Sequence, residues 1–247
     1  MTLVDENDNI VGPISKLNGH LLLQNNGKVL GNGALSTMVK KSELHRAFSL
    51  LLFNSKNELL LQQRAFKKIT FPGRWTNTCC SHNAHIPEEL EPEPHFVGMR
   101  RAAVRRSLFE LGIKDLQPDD LKVVSRILYY AESCDRFAEH ELDYIIFAKK
   151  DIDPSFLANP DEIEEIAWVK YHDFEDFLQE QQKKADQRRL TNGGTATLNT
   201  EVDQSVITPW FRLLKEQKLM RWWKTLIEEG GRFPNEAHHI ENFTISK

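Results

Sequence analysis

Residues 76–82, Thr-Asn-Thr-Cys-Cys-Ser-His, set the Cys80 thiol two positions before the His82 imidazole. A thiol beside an imidazole can act as a nucleophile, as an acid/base group or as a metal ligand. Cys79 reads as a small packed hydrophobe. Glu139-His140-Glu141 opens an apolar stretch, and strand alternation puts the two carboxylates on one face with His140 pointing away. Side-by-side carboxylates repel unless a cation or a shared proton lies between them, so this is either a solvated strand end or a cation site. Arg106 and Glu110 are four apart on a predicted helix and share a face. They form either a surface ion pair or a carboxylate for a divalent cation beside an arginine for the phosphate it carries. His20 and His45 adjoin apolar segments and read as structural or as ligands, and Lys16, Arg64 and Lys68 add positive charge near these segments.

The elements that must carry these groups follow from periodicity. Leu3-Val4 and Ile10-Val11 flank a turn cluster and predict a hairpin, as do His45–Phe53 and Glu58–Arg64. Asn25–Gly33 holds two Asn-Gly pairs and reads as a turn or loop. Phe71–Pro94, with its prolines, glycines and clustered glutamates, reads as one long loop. Val97–Leu111 repeats apolar residues at three and four, and Gly112 follows as its stop. Arg100, Arg101, Arg105 and Arg106 would then make a solvated face or a phosphate site.

Val123–Ala131, Leu142–Ala148 and Ile166–Val169 are rich in strand formers. Tyr171 to about Arg188 predicts a helix, and Thr191–Val206 a loop. Thr208 and Pro209 read as the N-cap and first residue of a last amphipathic helix bearing Trp210, Leu213, Leu214, Met220, Trp223 and Ile227. Interspersed strands and helices favour an α/β (α+β) fold, one mixed sheet with helices on both faces.

The 247 residues are 40% hydrophobic and 28% charged, with a net charge of -4. Collagen, disorder and coiled coil are thereby disfavoured, as is an electrostatically driven nucleic-acid binder. No apolar run approaches the ~20 residues of a membrane span. Three cysteines argue against a disulfide scaffold and for a reducing compartment.

Each signal is weak alone, but their order along the chain is specific. Leu44-His45-Arg46-Ala47-Phe48-Ser49, Leu60-Leu61-Gln62-Gln63-Arg64, Lys68-Ile69-Thr70-Phe71-Pro72-Gly73 and Trp75 to His82 come first. Arg101-Ala102-Ala103, Glu110-Leu111-Gly112-Ile113, Glu139 to Tyr144 and Thr208-Pro209-Trp210-Phe211 follow. From about Val4 to Trp223 the chain resembles type I isopentenyl-diphosphate delta-isomerase, a Nudix-type fold.

The resemblance implies that the protein interconverts isopentenyl and dimethylallyl diphosphate by protonation and deprotonation through a carbocation-like state. It implies His20, His45, His82, Glu139 and Glu141 as ligands of a divalent metal, Mn²⁺, Mg²⁺ or Zn²⁺ by ligand type. Glu110 would help hold a Mg²⁺ carried by the diphosphate. Lys16, Arg64, Lys68, Arg106 and Ser81 match substrate-binding positions, Cys80 and Glu141 the two acid/base residues, and Tyr129 the tyrosine that assists the glutamate. Trp210 matches the tryptophan facing the cation, which its ring quadrupole would stabilise. The expected partner is a small prenyl diphosphate, with no nucleic acid and no membrane span. The chain is expected to be a monomeric single domain over residues 1–247, in the cytoplasm, with peroxisome and plastid as the family's other locations.

The sequence departs from related patterns at several places. Of the Nudix hydrolase box, Arg105, Glu110, Gly112 and Ile113 fit, while the other glutamates are missing, which argues against water-activating hydrolysis. Asn83 replaces a proline usual after the histidine. Insertions are expected near residues 24–40 and 190–206.

Overall fold

A computed structural model describes residues 1–24, 40–152, 158–191 and 205–243. The Asn25–Gly33 turn and nearly all of both expected insertions lie outside the described residues.

Strand β1 (Thr2–Val4) pairs antiparallel with β2 (Ile10–Pro13), the predicted first hairpin. Asp8 in its turn accepts hydrogen bonds from Arg46, Arg126 and Tyr144, which pins the hairpin to the sheet. The short helix α1 (Lys16–His20) follows, with the Ser15 hydroxyl accepting from the Asn18 N–H. The two-residue strands β3 (Leu23–Gln24) and β4 (Lys40–Lys41) pair with each other.

The main sheet contains β5 (His45–Phe53), β6 (Leu59–Arg64), β9 (Leu121–Glu132), β10 (Ala138–Lys149), β11 (Ile163–Val169) and β12 (Ile240–Asn242), in the order β11-β6-β5-β10-β9-β12. The β5–β10 and β9–β12 pairs are parallel and the other neighbours antiparallel. All of β10 except Lys149 is buried, as expected for a central strand covered on both faces.

Two apolar layers sandwich the sheet. On one face, Phe53, Phe147 and Ile145 meet α4 (Phe174–Thr191) and the last helix. That helix runs as α5 (Pro209–Leu214), a π turn at Lys215–Leu219 and α6 (Met220–Glu228). Trp222 and Trp223, at core spacing, are buried there. On the other face Phe48, Leu50, Leu142 and Ile146 pack against α3 (Val97–Leu111).

Some local expectations are corrected. Phe71–Pro94 is not one long loop. It contains β7 (Trp75–Thr76), β8 (Cys79–Ser81) and α2 (Pro87–Leu90), because ladder bonds to β6 and β5 capture pieces too short to show periodicity. Thr208 occupies the N-cap position, but its hydroxyl pairs with the Thr76 hydroxyl at 2.8 Å instead of capping. The α3 arginines are a solvated face only in part: Arg100 is buried, while Arg101 stays partly exposed and Arg105 exposed, pairing with Glu91 and the buried Glu89.

Helix α3 stops at Gly112, whose φ of 68° places it in the left-handed region. At the other end, a Cβ on Gly98 would lie 2.6 Å from the Glu89 carbonyl oxygen and carbon. Backbone cannot yield as a flexible side chain does. Gly98→Ala is therefore expected to cost about 1–3 kcal/mol, the usual range for overpacking. The midpoint of urea unfolding measures it, and an unchanged midpoint would show that the α2–α3 contact is slack.

Candidate active site

Residues expected to do chemistry converge on one cleft. Its walls include Lys16, His20, Arg64, Lys68, Cys80, Ser81, His82, Arg106, Glu110, Glu139, Glu141 and Trp210. Short-range geometry explains how distant segments reach it. The single turn of α1 carries Lys16 and His20, four apart, to the same cleft. His45 opens β5 and stands in register with Glu141 on the parallel strand β10. Strand alternation sends Glu139 and Glu141 into the site while His140 turns away, where its Nδ1 bonds the Ser42 carbonyl at 2.9 Å. Both carboxylates are buried, so this is no solvated strand end.

One ligand atom from each of His20, His45, His82, Glu139 and Glu141 lies within 4.8 Å of every other. The three imidazole centroids are 4.9 to 5.1 Å apart. Backbone carbonyls fix the tautomers of two rings. His20 Nδ1 donates to the Lys16 carbonyl and His45 Nδ1 donates to the Glu43 carbonyl at 2.8 Å, which turns both Nε2 lone pairs inward.

His20 Nε2 then faces Glu139 Oε2 at 2.7 Å, and His82 Nε2 faces Glu141 Oε1 at 2.9 Å. With its proton on Nδ1, His20 Nε2 is an acceptor, and it and the Glu139 carboxylate need a positive centre between them, either a proton or a metal ion. Glu139 Oε2 and the Nε2 atoms of His20 and His45 are buried without hydrogen-bond partners, so the donor set fits a divalent ion.

The electrostatics agree. Burial pulls the His82 imidazole well below its usual value, and His45 and His20 pull it further, which leaves its ring neutral and able to ligate. Burial pushes the Glu139 carboxyl up, but the imidazoles beside it, His20 first and then His82, together hold it below its usual value.

Tyr129 stands directly opposite Glu141 in the β9–β10 ladder. The twelve-residue separation is thus hairpin register, and the Tyr129 hydroxyl donates to Glu141 Oε2.

Alternation along β8 separates the two cysteines. Cys79 is fully buried on the α3 side, as its reading as a packed hydrophobe required, with its sulfur 3.5 Å from Glu110 Oε2. Cys80 lines the cleft. Its thiol donates to Asn77 Oδ1 at 2.8 Å and accepts from Trp210 Nε1 at 3.1 Å. Burial pushes this thiol up to about 12, against the opposing pull of the Thr76 hydrogen bond, so it carries its proton at neutral pH.

Arg106 and Glu110 form an ion pair of 2.6 Å, and Glu110 is buried, so a mere surface pair is ruled out. Arg64 does more than supply charge. Its guanidinium holds the Thr70 and Phe71 carbonyls and lies 5.5 Å over the Trp210 ring.

Sequence reasoning missed Asn77, Asp143 and Glu162. Asn77 lies inside the Thr76–His82 motif, where a buried amide next to a thiol was the available signal. Asp143 Oδ2 accepts from the Ser49 hydroxyl at 2.7 Å. Burial, and then Glu141, push its carboxyl well above the usual range. Glu162 pairs with Lys68 and Arg106, with no local motif to mark it.

Comparisons with known proteins point one way. The chain matches the NUDIX domain family over residues 43–192. It is 43% identical over 230 residues to "Isopentenyl-diphosphate Delta-isomerase I" of Camptotheca acuminata, which covers 92% of this chain and 83% of that protein. It is 42% identical over 230 residues to "Isopentenyl-diphosphate Delta-isomerase II, chloroplastic" of Arabidopsis thaliana, 92% of this chain and 69% of that protein. With "Isopentenyl-diphosphate Delta-isomerase 1" of Bos taurus it shares 38% over 226 residues, 91% and 84% of the two chains.

Proposed function

This chain belongs to the isopentenyl-diphosphate Delta-isomerases of the NUDIX family, enzymes that interconvert isopentenyl and dimethylallyl diphosphate, and from that premise we propose how its residues divide the reaction. Lys16, Arg64, Lys68, Arg106 and Ser81 hold the diphosphate, with Glu110 beside a Mg²⁺ that the diphosphate carries. His20, His45, His82, Glu139 and Glu141 hold a second divalent ion, Mn²⁺, Mg²⁺ or Zn²⁺. That ion, when bound, fixes the orientation of Glu141 and tunes its acidity.

The reaction adds a proton to one alkene carbon and removes one from the carbon on the other side of the resulting cation. Atoms and electrons balance with no oxidant or second substrate. Cys80 and Glu141 are the two groups that give and take these protons. Tyr129 donates to Glu141 and steadies the oxygen that moves a proton. The Trp210 ring stabilises positive charge without offering a nucleophile. Its Nε1 bonds the Cys80 sulfur, which ties the ring to the thiol. Water must stay out, because it would quench the cation to an alcohol.

The observation that carries this reading is one cleft holding a protonated thiol, a carboxylate within a metal-ligand group and a cluster of phosphate-sized cations. Single-domain organisation over 1–247 belongs to the same reading, since site residues from Lys16 to Trp210 meet in that cleft. So do action as a monomer and a location in the cytoplasm, peroxisome or plastid, in a reducing environment where Cys80 stays a free thiol. Among the described residues no helix is long and apolar enough to cross a membrane.

Incubation with isopentenyl diphosphate and Mg²⁺ is expected to yield dimethylallyl diphosphate without phosphate release. Phosphate release with no isomer would sink the reading in favour of a pyrophosphatase.

A further inference from the structure

The diphosphate cations do not stand alone. Behind Lys68 and Arg106 lies the Glu162 carboxylate, only 16% exposed. Its Oε2 takes the Lys68 ammonium, and its Oε1 is 3.5 Å from the same Arg106 nitrogen that binds Glu110 Oε1. The backbone holds it there. Asn159 N–H donates to the Glu110 carbonyl, Glu162 N–H donates to the Asn159 carbonyl, and Ala65 N–H donates to the Glu162 carbonyl. One turn thus couples the end of β6, the end of α3 and this carboxylate. Burial pushes the Glu162 carboxyl up, but Lys68, with Arg106 and Lys16, outweighs burial and holds it below its usual value.

The charge count gives this residue a consequence. Lys16, Arg64, Lys68 and Arg106 supply four positive charges, and Glu110 and Glu162 offset two of them. Glu139 and Glu141 in the same cleft belong to the metal-ligand group and are common to wild type and variant. A diphosphate ester carries about three negative charges near neutral pH, and magnesium cancels two of these. Any change in pocket charge therefore acts more strongly on the free ligand than on its magnesium complex.

We propose that Glu162 is a specificity-determining residue of the diphosphate pocket, which it makes a receptor for the metal-complexed diphosphate in preference to the free anion. The proposal rests on the assignment of these cations to the diphosphate. Glu162 acts by offsetting Lys68 and Arg106 and needs no contact with the ligand.

Inorganic pyrophosphate is the probe, titrated calorimetrically into the full chain with chelator or with Mg²⁺. Chelation strips any other metal site equally from wild type and variant, so the ratio between the two proteins isolates Glu162. Wild type is expected to favour the magnesium complex. In Glu162→Gln the free anion is expected to bind about tenfold more tightly, equivalent to one unit charge at this range, while the complex changes less. Glu162→Asp keeps the charge and is expected to keep the wild-type ratio. Glu162→Ala serves the same comparison where the glutamine variant does not fold.

An unchanged or weakened affinity for free pyrophosphate in the neutral variants would overturn the role of Glu162 while leaving the pocket assignment intact. So would an equal shift of both ligand forms. Failure of wild type to bind pyrophosphate in either form would overturn the pocket assignment itself, and the inference with it.

Discussion

Cys80→Ala is expected to lower turnover by about 10²–10⁴-fold, the usual contribution of one positioned acid/base group. The KM for isopentenyl diphosphate should change little, because the substrate is held by Lys16, Arg64, Lys68 and Arg106 and not by the thiol. The variant should also fold. Removing the sulfur leaves Trp210 Nε1 with Asn77 Oδ1 at 3.2 Å, and Asn77 keeps its own bonds to the Leu50 and Cys79 carbonyls at 3.0 and 3.2 Å. No buried donor is orphaned, so the large penalty of an unpaired polar group does not arise. Steady-state kinetics with a thermal melt on the same sample separates chemistry from stability. Full activity in a folded Cys80→Ala protein would remove the thiol from the proton transfers. A raised KM with kcat unchanged would instead make it a binding residue.

Alternation assigns adjacent strand residues to opposite faces, and at the head of β10, whose strand formers were legible in the sequence, it separates His140 from Glu139 and Glu141. The same rule puts Cys79 under α3 and Cys80 in the cleft, but only once β8 forms inside a segment that reads as a loop. Helix α3 was equally legible, since its three-and-four repeat ends at a glycine in the left-handed region. These features depend on neighbours in sequence.

Partners set by tertiary contact left no such trace. Thr208 looks like a helix cap until Thr76, brought beside it by β7, takes its hydroxyl. Arg101 and Arg105 on α3 look unpaired until the α2 segment folds back with Glu91 and Glu89. Glu162 is an ordinary acid at the start of an edge strand until β11 pairs with β6 and brings it against Lys68. Resemblance named the candidate ligands and the proposed acid/base pair residue by residue, and the fold brings them together. It carried nothing about the groups that tune them, Asn77, Asp143 and Glu162, whose effects depend on distance and burial.

Glu141 should be the most sensitive position, because two functions meet on one carboxylate. Its Oε1 faces His82 and its Oε2 accepts from Tyr129, so one oxygen points toward the ligand group and the other toward a hydroxyl that can steady a moving proton. Glu141→Gln removes the charge and the acid/base capacity together. Losses from groups that act as a unit are not additive, and a fall in turnover of at least about 10⁴-fold is expected, at or beyond the upper range for a single acid/base group.

Glu139→Gln separates the two functions. Glu139 faces His20 Nε2 at 2.7 Å and takes no part in the proposed proton transfer. Its loss should weaken metal binding by about 10–100-fold, the range for disturbing a ligand shell, and raising the metal concentration should restore most of the activity. The same titration should leave Glu141→Gln inactive even when metal analysis finds the ion bound. Recovery of Glu141→Gln at high metal would reduce Glu141 to a ligand and pass its proton-transfer role to another group. Failure of Glu139→Gln to recover at any metal concentration would mean that Glu139 serves the chemistry directly. Either result would be decisive, because both carboxylates sit on the same face of β10, two residues apart, in a shared electrostatic environment.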